Sequence, residues 1–202
     1  MTESRLQFFD RIADQWDGWV DLERMGQALR EGLVELEVSP SADVVDLGCG
    51  TGNLTAALAQ HLEPDATITA VDFSERMLEE ARRKVTDERV RWVCADAAAL
   101  PLADQSADHI ICFSAWPHFP EPIQALDQVR RVLKPGGTFT VWHAISRQMV
   151  NAIHAEASPA VAGDLLAPIC VLGELLRSRG FTPKRPVDDE QRYSIQATLS
   201  EA

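Results

Sequence analysis

The chain has 202 residues, 46% of them hydrophobic, with 19 Lys and Arg against 31 Asp and Glu for a formal net charge of −12. That length suits one α/β domain and is short for two, and the acidic balance disfavours a nonspecific hold on nucleic acid, whose phosphates need concentrated positive charge. No apolar run approaches the roughly 18 to 20 residues that span a bilayer, and the polar start Met1-Thr2-Glu3-Ser4-Arg5 lacks the apolar core of a secretory leader, so a cytoplasmic protein with no membrane partner is expected.

From Leu6 to about Trp19, apolar residues at 6, 9, 12, 13 and 16 recur at intervals of three and four and predict an amphipathic helix. A second helix is expected from Arg24 to Val38, ended by Pro40. Val44 to Leu47 reads as a buried strand and Leu54 to Leu62 as a helix. Thr67 to Val71 is strand two, and Ser74 caps a helix from Glu75 to about Val85, with Glu75 complementing the dipole of its first turn. Strand three is Val90 to Cys94, and strand four is His109 to Phe113. A helix from Ile123 to Leu133 stops at Lys134-Pro135-Gly136-Gly137, and strand five follows at Thr138 to His143. Gly163 to Arg179 has helical periodicity and ends at Gly180. Phe181 to Val187 and Arg192 to Leu199 read as strands, with Pro183 and Pro186 placing the first of these at a sheet edge. Strands alternating with helices imply right-handed crossovers and a doubly wound sheet, with ligands bound beyond the carboxyl ends of the strands. The four cysteines, Cys49, Cys94, Cys112 and Cys170, are widely spaced, and three lie in or beside strands expected to be buried, so disulfides are not expected.

Between strand one and its helix stands Gly48-Cys49-Gly50-Thr51-Gly52-Asn53. The pattern is Gly-x-Gly-x-Gly, with Asn53 where the dinucleotide fingerprint has its third glycine. Asp46, two positions before the first glycine, would repel a pyrophosphate and suits a cationic ligand such as an amino-acid ammonium group. An amino-acid-bearing nucleoside is therefore favoured over a nicotinamide dinucleotide.

Asp46-Leu47-Gly48-Cys49-Gly50-Thr51-Gly52 resembles the first motif of the class I S-adenosylmethionine-dependent methyltransferases. Val71-Asp72-Phe73-Ser74 resembles the second motif, Cys94-Ala95-Asp96-Ala97 the third, and Arg131-Val132-Leu133-Lys134-Pro135-Gly136-Gly137 the turn before strand five, all in order across roughly residues 40 to 145. The resemblance implies a Rossmann-like, seven-stranded, mostly parallel sheet whose last strand is antiparallel, helices on both faces, and an N-terminal helical lid. It implies a cap over 1–40, a cofactor-binding core over 41–145, and a lid segment, helix and hairpin over 146–202, forming one domain over 1–202. The cofactor implied is S-adenosylmethionine, with S-adenosylhomocysteine as product. Contacts to it are implied for Asp46, Gly48, Cys49, Gly50 and Asn53, for Asp72 (ribose hydroxyls), Phe73 and Met77, for Asp96 (adenine amino group) and Ala97, and for Phe113.

Methyl transfer from a sulfonium is an in-line displacement with a good leaving group, so holding and desolvating the two reactants is the protein's main task and a general base is optional. His118, His143 and His154 fall in the segments expected around the methyl group. His118 and His143, after neighbouring strands, are the candidate catalytic pair, while no His-x-x-x-His or Cys-x-x-Cys spacing supports a metal. The expected activity is methyl transfer to a small molecule by a monomer or homodimer. A non-catalytic S-adenosylmethionine-binding regulator is the alternative, and a nicotinamide oxidoreductase is disfavoured by Asn53.

Overall fold

The computed structural model describes residues 3–200. Its centre is a seven-stranded sheet in the order β3-β2-β1-β4-β5-β7-β6, built from β1 (Val44–Leu47), β2 (Ile68–Asp72), β3 (Val90–Cys94), β4 (Ala107–Phe113), β5 (Leu133–His143), β6 (Phe181–Asp188) and β7 (Tyr193–Leu199). The pairs β1 with β2, β1 with β4, β2 with β3 and β4 with β5 are parallel, and β7 runs antiparallel to both β5 and β6. The doubly wound sheet with an antiparallel last strand is therefore observed, and β6, which carries Pro183 and Pro186, is an edge strand where missing N–H donors cost no internal pairing.

Side-chain alternation along the central strands divides the core between the two faces. Val45, Leu47, Ile110, Cys112, Phe139 and Val141 pack with Leu126 and Val129 of α5 (Pro122–Val132), Val150 of α6 (Arg147–Ala157), and Leu172 and Leu176 of α7 (Ile169–Ser178). Val44, Ile111 and Trp142 pack on the other face with α2 (Leu22–Glu35), α3 (Asn53–His61) and α4 (Glu75–Lys84). α1 (Arg5–Ile12) lies outside these layers, where Phe8, Phe9 and Ile12 cluster with Met77 and Val161.

Several boundaries differ from the sequence expectation for identifiable reasons. The first helix stops at Ile12, and Trp16–Trp19 forms a separate 3-10 turn. The break carries Asp17 to the glycine loop, where its carboxylate accepts from Thr51 Oγ1 at 2.7 Å and pairs with Lys84. α2 starts at Leu22 because Asp21 caps it, accepting from the Arg24 amide at 3.0 Å. β5 starts at Leu133, which pairs with Ala107 of β4 before a register shift that leaves Lys134 to Gly137 unpaired, and the ladder resumes at Thr138 opposite His109. A helix over 163–179 would place Pro168 in its interior, where proline removes a hydrogen bond and clashes with the preceding turn. Pro168 instead caps the shorter α7. The lid segment contains α6, which sequence periodicity did not mark and which Ser146 caps by accepting from the Met149 amide. Cys94 is exposed because β3 is the outermost strand. No helix among the described residues is long and apolar enough to cross a membrane.

Candidate active site

The carboxyl ends of β1, β2 and β3 open on a cavity of about 340 Å³. Asp46, Gly48, Cys49, Gly50, Asn53, Asp72, Phe73, Met77, Asp96, Ala97 and Phe113 all line it, so the structure brings together every residue expected at the cofactor. The loop between β1 and α3 has to turn sharply here. Gly48 has φ +78°, and a β-carbon on it would lie 2.4 Å from Ala115 Cβ. Gly50 has φ +52°, and a β-carbon there would meet nothing within 4 Å, so the space beside its backbone belongs to the cavity.

Asp72 anchors this loop as well as facing the cavity. Its Oδ2 accepts from the Gly50 amide at 2.8 Å and its Oδ1 from the Ser74 amide at 2.9 Å. Burial pushes its carboxyl up to about 6 against the pull of these amides, and the nearby Asp10 charge adds to the rise. Asp46 is fully buried, and burial raises it to about 7 although Thr55 Oγ1 donates to its Oδ2 at 2.6 Å. Asp46 Oδ1 has no hydrogen-bond partner among the described residues. Two buried carboxyls lifted towards neutrality, one with an unsatisfied oxygen, form a site that a cationic or multiply donating ligand would relieve. That chemistry, with the open space at Gly50, fits the ammonium and ribose hydroxyls of S-adenosylmethionine. Asp96 is exposed at the end of β3, where its Oδ1 accepts from the Ala98 amide.

The rest of the lining is mostly apolar and comes from distant parts of the chain: Ser4, Arg5, Leu6, Phe9 and Trp16 from the N-terminal elements, and Ala115, His118 and Phe119 after β4. The Phe9 ring stands edge-on to the His118 imidazole with centroids 4.9 Å apart. His118 Nδ1 lies 2.8 Å from Oδ2 of Asp164, and Arg5 grips the same carboxylate, its Nε 2.8 Å from Oδ2 and its second nitrogen on Oδ1. Burial lowers the His118 pKa, opposed by the Asp164 hydrogen bond. His154 lies beside His118 with centroids 4.6 Å apart and the rings tilted by 43°, and its Nδ1 is 2.6 Å from the Asp164 carbonyl oxygen. His143 is placed differently from the expectation that paired it with His118 at the methyl group. It is 2% exposed, packs edge-on against Tyr193 and is absent from the cavity wall. Burial lowers its pKa to about 3, and its Nε2 has no partner among the described residues. The physical reason is the pleat: His143 ends β5 in register with Tyr193 of β7, which turns it into the sheet's interior side.

Arg5 and Asp164 escaped sequence reasoning. The sole signal for Asp164 is that it is the only charged residue between Glu156 and Glu174, in an otherwise apolar stretch. No group of three His, Cys, Asp or Glu among the described residues is arranged to hold a metal ion.

Residues 44–137 match the methyltransferase domain family. The chain is 38% identical over 106 residues to the demethylmenaquinone methyltransferase of Staphylococcus aureus (strain JH9), a match covering 52% of this chain and 44% of that enzyme, so the chain spans less than half the length of this relative. Among solved structures, an S-adenosylmethionine-dependent methyltransferase from Thermotoga maritima superposes with a TM-score of 0.75 at 21% identity, covering 96% of this chain and 98% of that one. One from Aquifex aeolicus gives 0.71 at 18% identity, covering 89% and 99%. With the glycine turn, the three strand-end acids and the 3-2-1-4-5-7-6 sheet in place, residues 44–137 carry a methyltransferase domain, and the chain has the fold of the class I S-adenosylmethionine-dependent methyltransferases.

Proposed function

We propose that this protein transfers the methyl group of S-adenosylmethionine to a small, largely apolar acceptor bearing one ionisable hydroxyl or amine, with His118 as the proton acceptor. The observation that carries the reading is one cavity whose lining combines the strand-end acids and glycines with His118 among Phe9, Trp16 and Phe119, Arg5 being its other titratable neighbour from the N-terminal side. In this reading Asp46 takes the cofactor's ammonium, Asp72 the ribose hydroxyls and Asp96 the adenine amino group, while Phe73, Met77 and Phe113 enclose the remainder. S-adenosylmethionine supplies a methyl carbon whose bond to sulfur breaks with the electron pair staying on sulfur, so only the acceptor's proton is left to be carried away. The apolar wall of Leu6, Phe9 and Phe119 desolvates the acceptor, which raises the nucleophilicity of its heteroatom. His118, kept neutral by burial, has an unshared pair with which to take the departing proton.

A small-molecule acceptor is supported by the modest cavity volume, at the low end of the roughly 300–1,000 Å³ of such sites. The demethylmenaquinone methyltransferase relative and the net charge of −12 point the same way. The test is S-adenosylhomocysteine release from a panel of phenols, quinols and apolar amines, including a demethylmenaquinone analogue. With the acceptor that reacts, His118→Ala is expected to lower turnover by about 100-fold, the scale of acid-base assistance. Its S-adenosylmethionine affinity should stay unchanged. Cofactor binding without turnover of any acceptor would favour the non-catalytic alternative, and parental turnover in His118→Ala would remove its role.

A further inference from the structure

Asp164 lies in the turn segment between α6 and α7, its side chain 2% exposed, yet it does not line the cavity. The cofactor reading gives it no task. Its two oxygens are nevertheless fully committed, to Arg5 of α1 and to the Nδ1 of His118, residues respectively 159 and 46 positions away. A turn segment that buries a lone carboxylate against these partners does more than close a surface. Burial would raise the Asp164 carboxyl, but the Arg5 and His118 hydrogen bonds outweigh it and hold it at about 2, so it is ionised at any working pH. An ionised carboxylate only accepts hydrogen bonds. Nδ1 of His118 must therefore carry the ring hydrogen, which leaves the unshared pair on Nε2. That nitrogen makes no hydrogen bond among the described residues, and its ring lines the cavity.

We propose that Asp164 is a positioning residue for His118, fixing the imidazole as the Nδ1–H tautomer with Nε2 as the proton-accepting atom at the cavity, and that Arg5 aligns the carboxylate from α1. The inference rests on the reading of His118 as proton acceptor. It adds that the acceptor wall is complete only when α1 is docked, because the group orienting the base is itself held by the first turn of that helix. The groups facing His118 are Asp164 from the turn segment, Arg5 from α1, His154 from α6 and, more distantly, His143 from β5. Asp164 favours a protonated ring, whereas Arg5 opposes it by its own charge and by sharing the carboxylate. The two partners thus act on His118 with opposite sign.

That opposition makes the proposal testable without an acceptor. Two-bond nitrogen–proton NMR on protein labelled with 15N-histidine reports the tautomer and titration midpoint of His118, assigned by its loss in His118→Gln. In the parent, the Nδ1–H tautomer is expected. In Asp164→Asn that preference is lost, because an amide can donate as well as accept, and the midpoint falls by about one pH unit or more, the scale of a charge-assisted hydrogen bond. In Arg5→Gln the tautomer is retained and the midpoint rises. An unchanged tautomer and midpoint in Asp164→Asn overturns the proposal, as do midpoints that move in the same direction in both variants. Should Asp164→Asn fail to fold, Arg5→Gln alone decides, and an unchanged or lowered midpoint there overturns it. If the spectra behave as expected while His118→Gln turns over an acceptor at the parental rate, the proton-acceptor reading fails and the tautomer assignment stands.

Discussion

The two walls of the cavity are built by different kinds of contact. On the cofactor wall, functional residues lie within a few positions of a strand end, and their geometry is set by backbone: the Gly48 and Gly50 conformations and the amides that Asp72 receives. Around His118, on the side we propose for the acceptor, geometry is set by side chains meeting across the chain, Arg5 and His118 on Asp164, although one such contact, Asp17 on Thr51, also reaches the glycine loop. A site built on backbone conformation, as the first is, suits a single ligand of fixed shape, the role we propose for it. The second can be rebuilt residue by residue, which is where differences in acceptor chemistry among proteins of one fold are accommodated.

Breaking the cofactor wall at its backbone has the largest expected effect. Gly50→Val introduces a side chain into open cavity space at φ +52°, where a β-branched residue is strained by about 1–2 kcal/mol. Cofactor binding should become undetectable by calorimetry while the circular dichroism spectrum keeps its α/β form. Normal binding in that variant would place the ligand away from this turn.

A smaller and reversible perturbation is pH. Asp46 and Asp72, raised by burial to about 7 and 6, are partly neutral in the unliganded protein near pH 6. If Asp46 receives the ammonium, the cofactor binds the ionised form, and affinity should fall by roughly 30-fold between pH 8 and pH 5.5. Stability is a poor substitute for this measurement. The raised acids bind more protons folded than unfolded between about pH 4 and 7, so their contribution weakens as pH rises through that window. His143 and His109, lowered by burial to about 3 and 4, bind fewer protons folded than unfolded below about 6.5, so theirs strengthens with pH over much of the same range. The opposing terms flatten the stability profile, whereas an affinity profile isolates the acids that face the ligand.

The smallest expected effect on turnover separates the histidines. His143→Ala should leave turnover within about threefold of the parent and instead lower thermal stability by the roughly 0.5–3 kcal/mol typical of a truncated buried side chain. A large loss of turnover at unchanged stability would return His143 to the reacting centre.

The sequence made one wall legible and left much of the other hidden, for a physical reason. Strand alternation, the glycine spacing and the acids at strand ends are local signals, so the residues expected at the cofactor, all of which line the cavity, could be chosen by counting along the chain. Ser74, expected as a helix cap, accepts from the Met77 amide and also donates to Asp10, which fastens α1 to α4. The cap was readable and its second bond was not, because nothing near residue 74 announces residue 10. His118, chosen for its place after strand four, lines the cavity. His143 was misplaced because following a strand end does not decide which side of the pleat a side chain takes. Asp164 was hidden because the two partners of its carboxylate, Arg5 and His118, come from other elements.

The central claim is that these two walls have separable tasks, and calorimetric titration of S-adenosylmethionine into the parent, Asp72→Ala and His118→Ala proteins tests it most directly. The parent should bind one equivalent. Asp72→Ala should bind roughly 10- to 100-fold more weakly, since it loses charge-assisted hydrogen bonds to the ligand along with the anchor of the Gly50 amide. His118→Ala should bind as the parent does. Parental affinity in a folded Asp72→Ala protein, or an equal loss in His118→Ala, would contradict the division of the cavity into a cofactor wall and an acceptor wall.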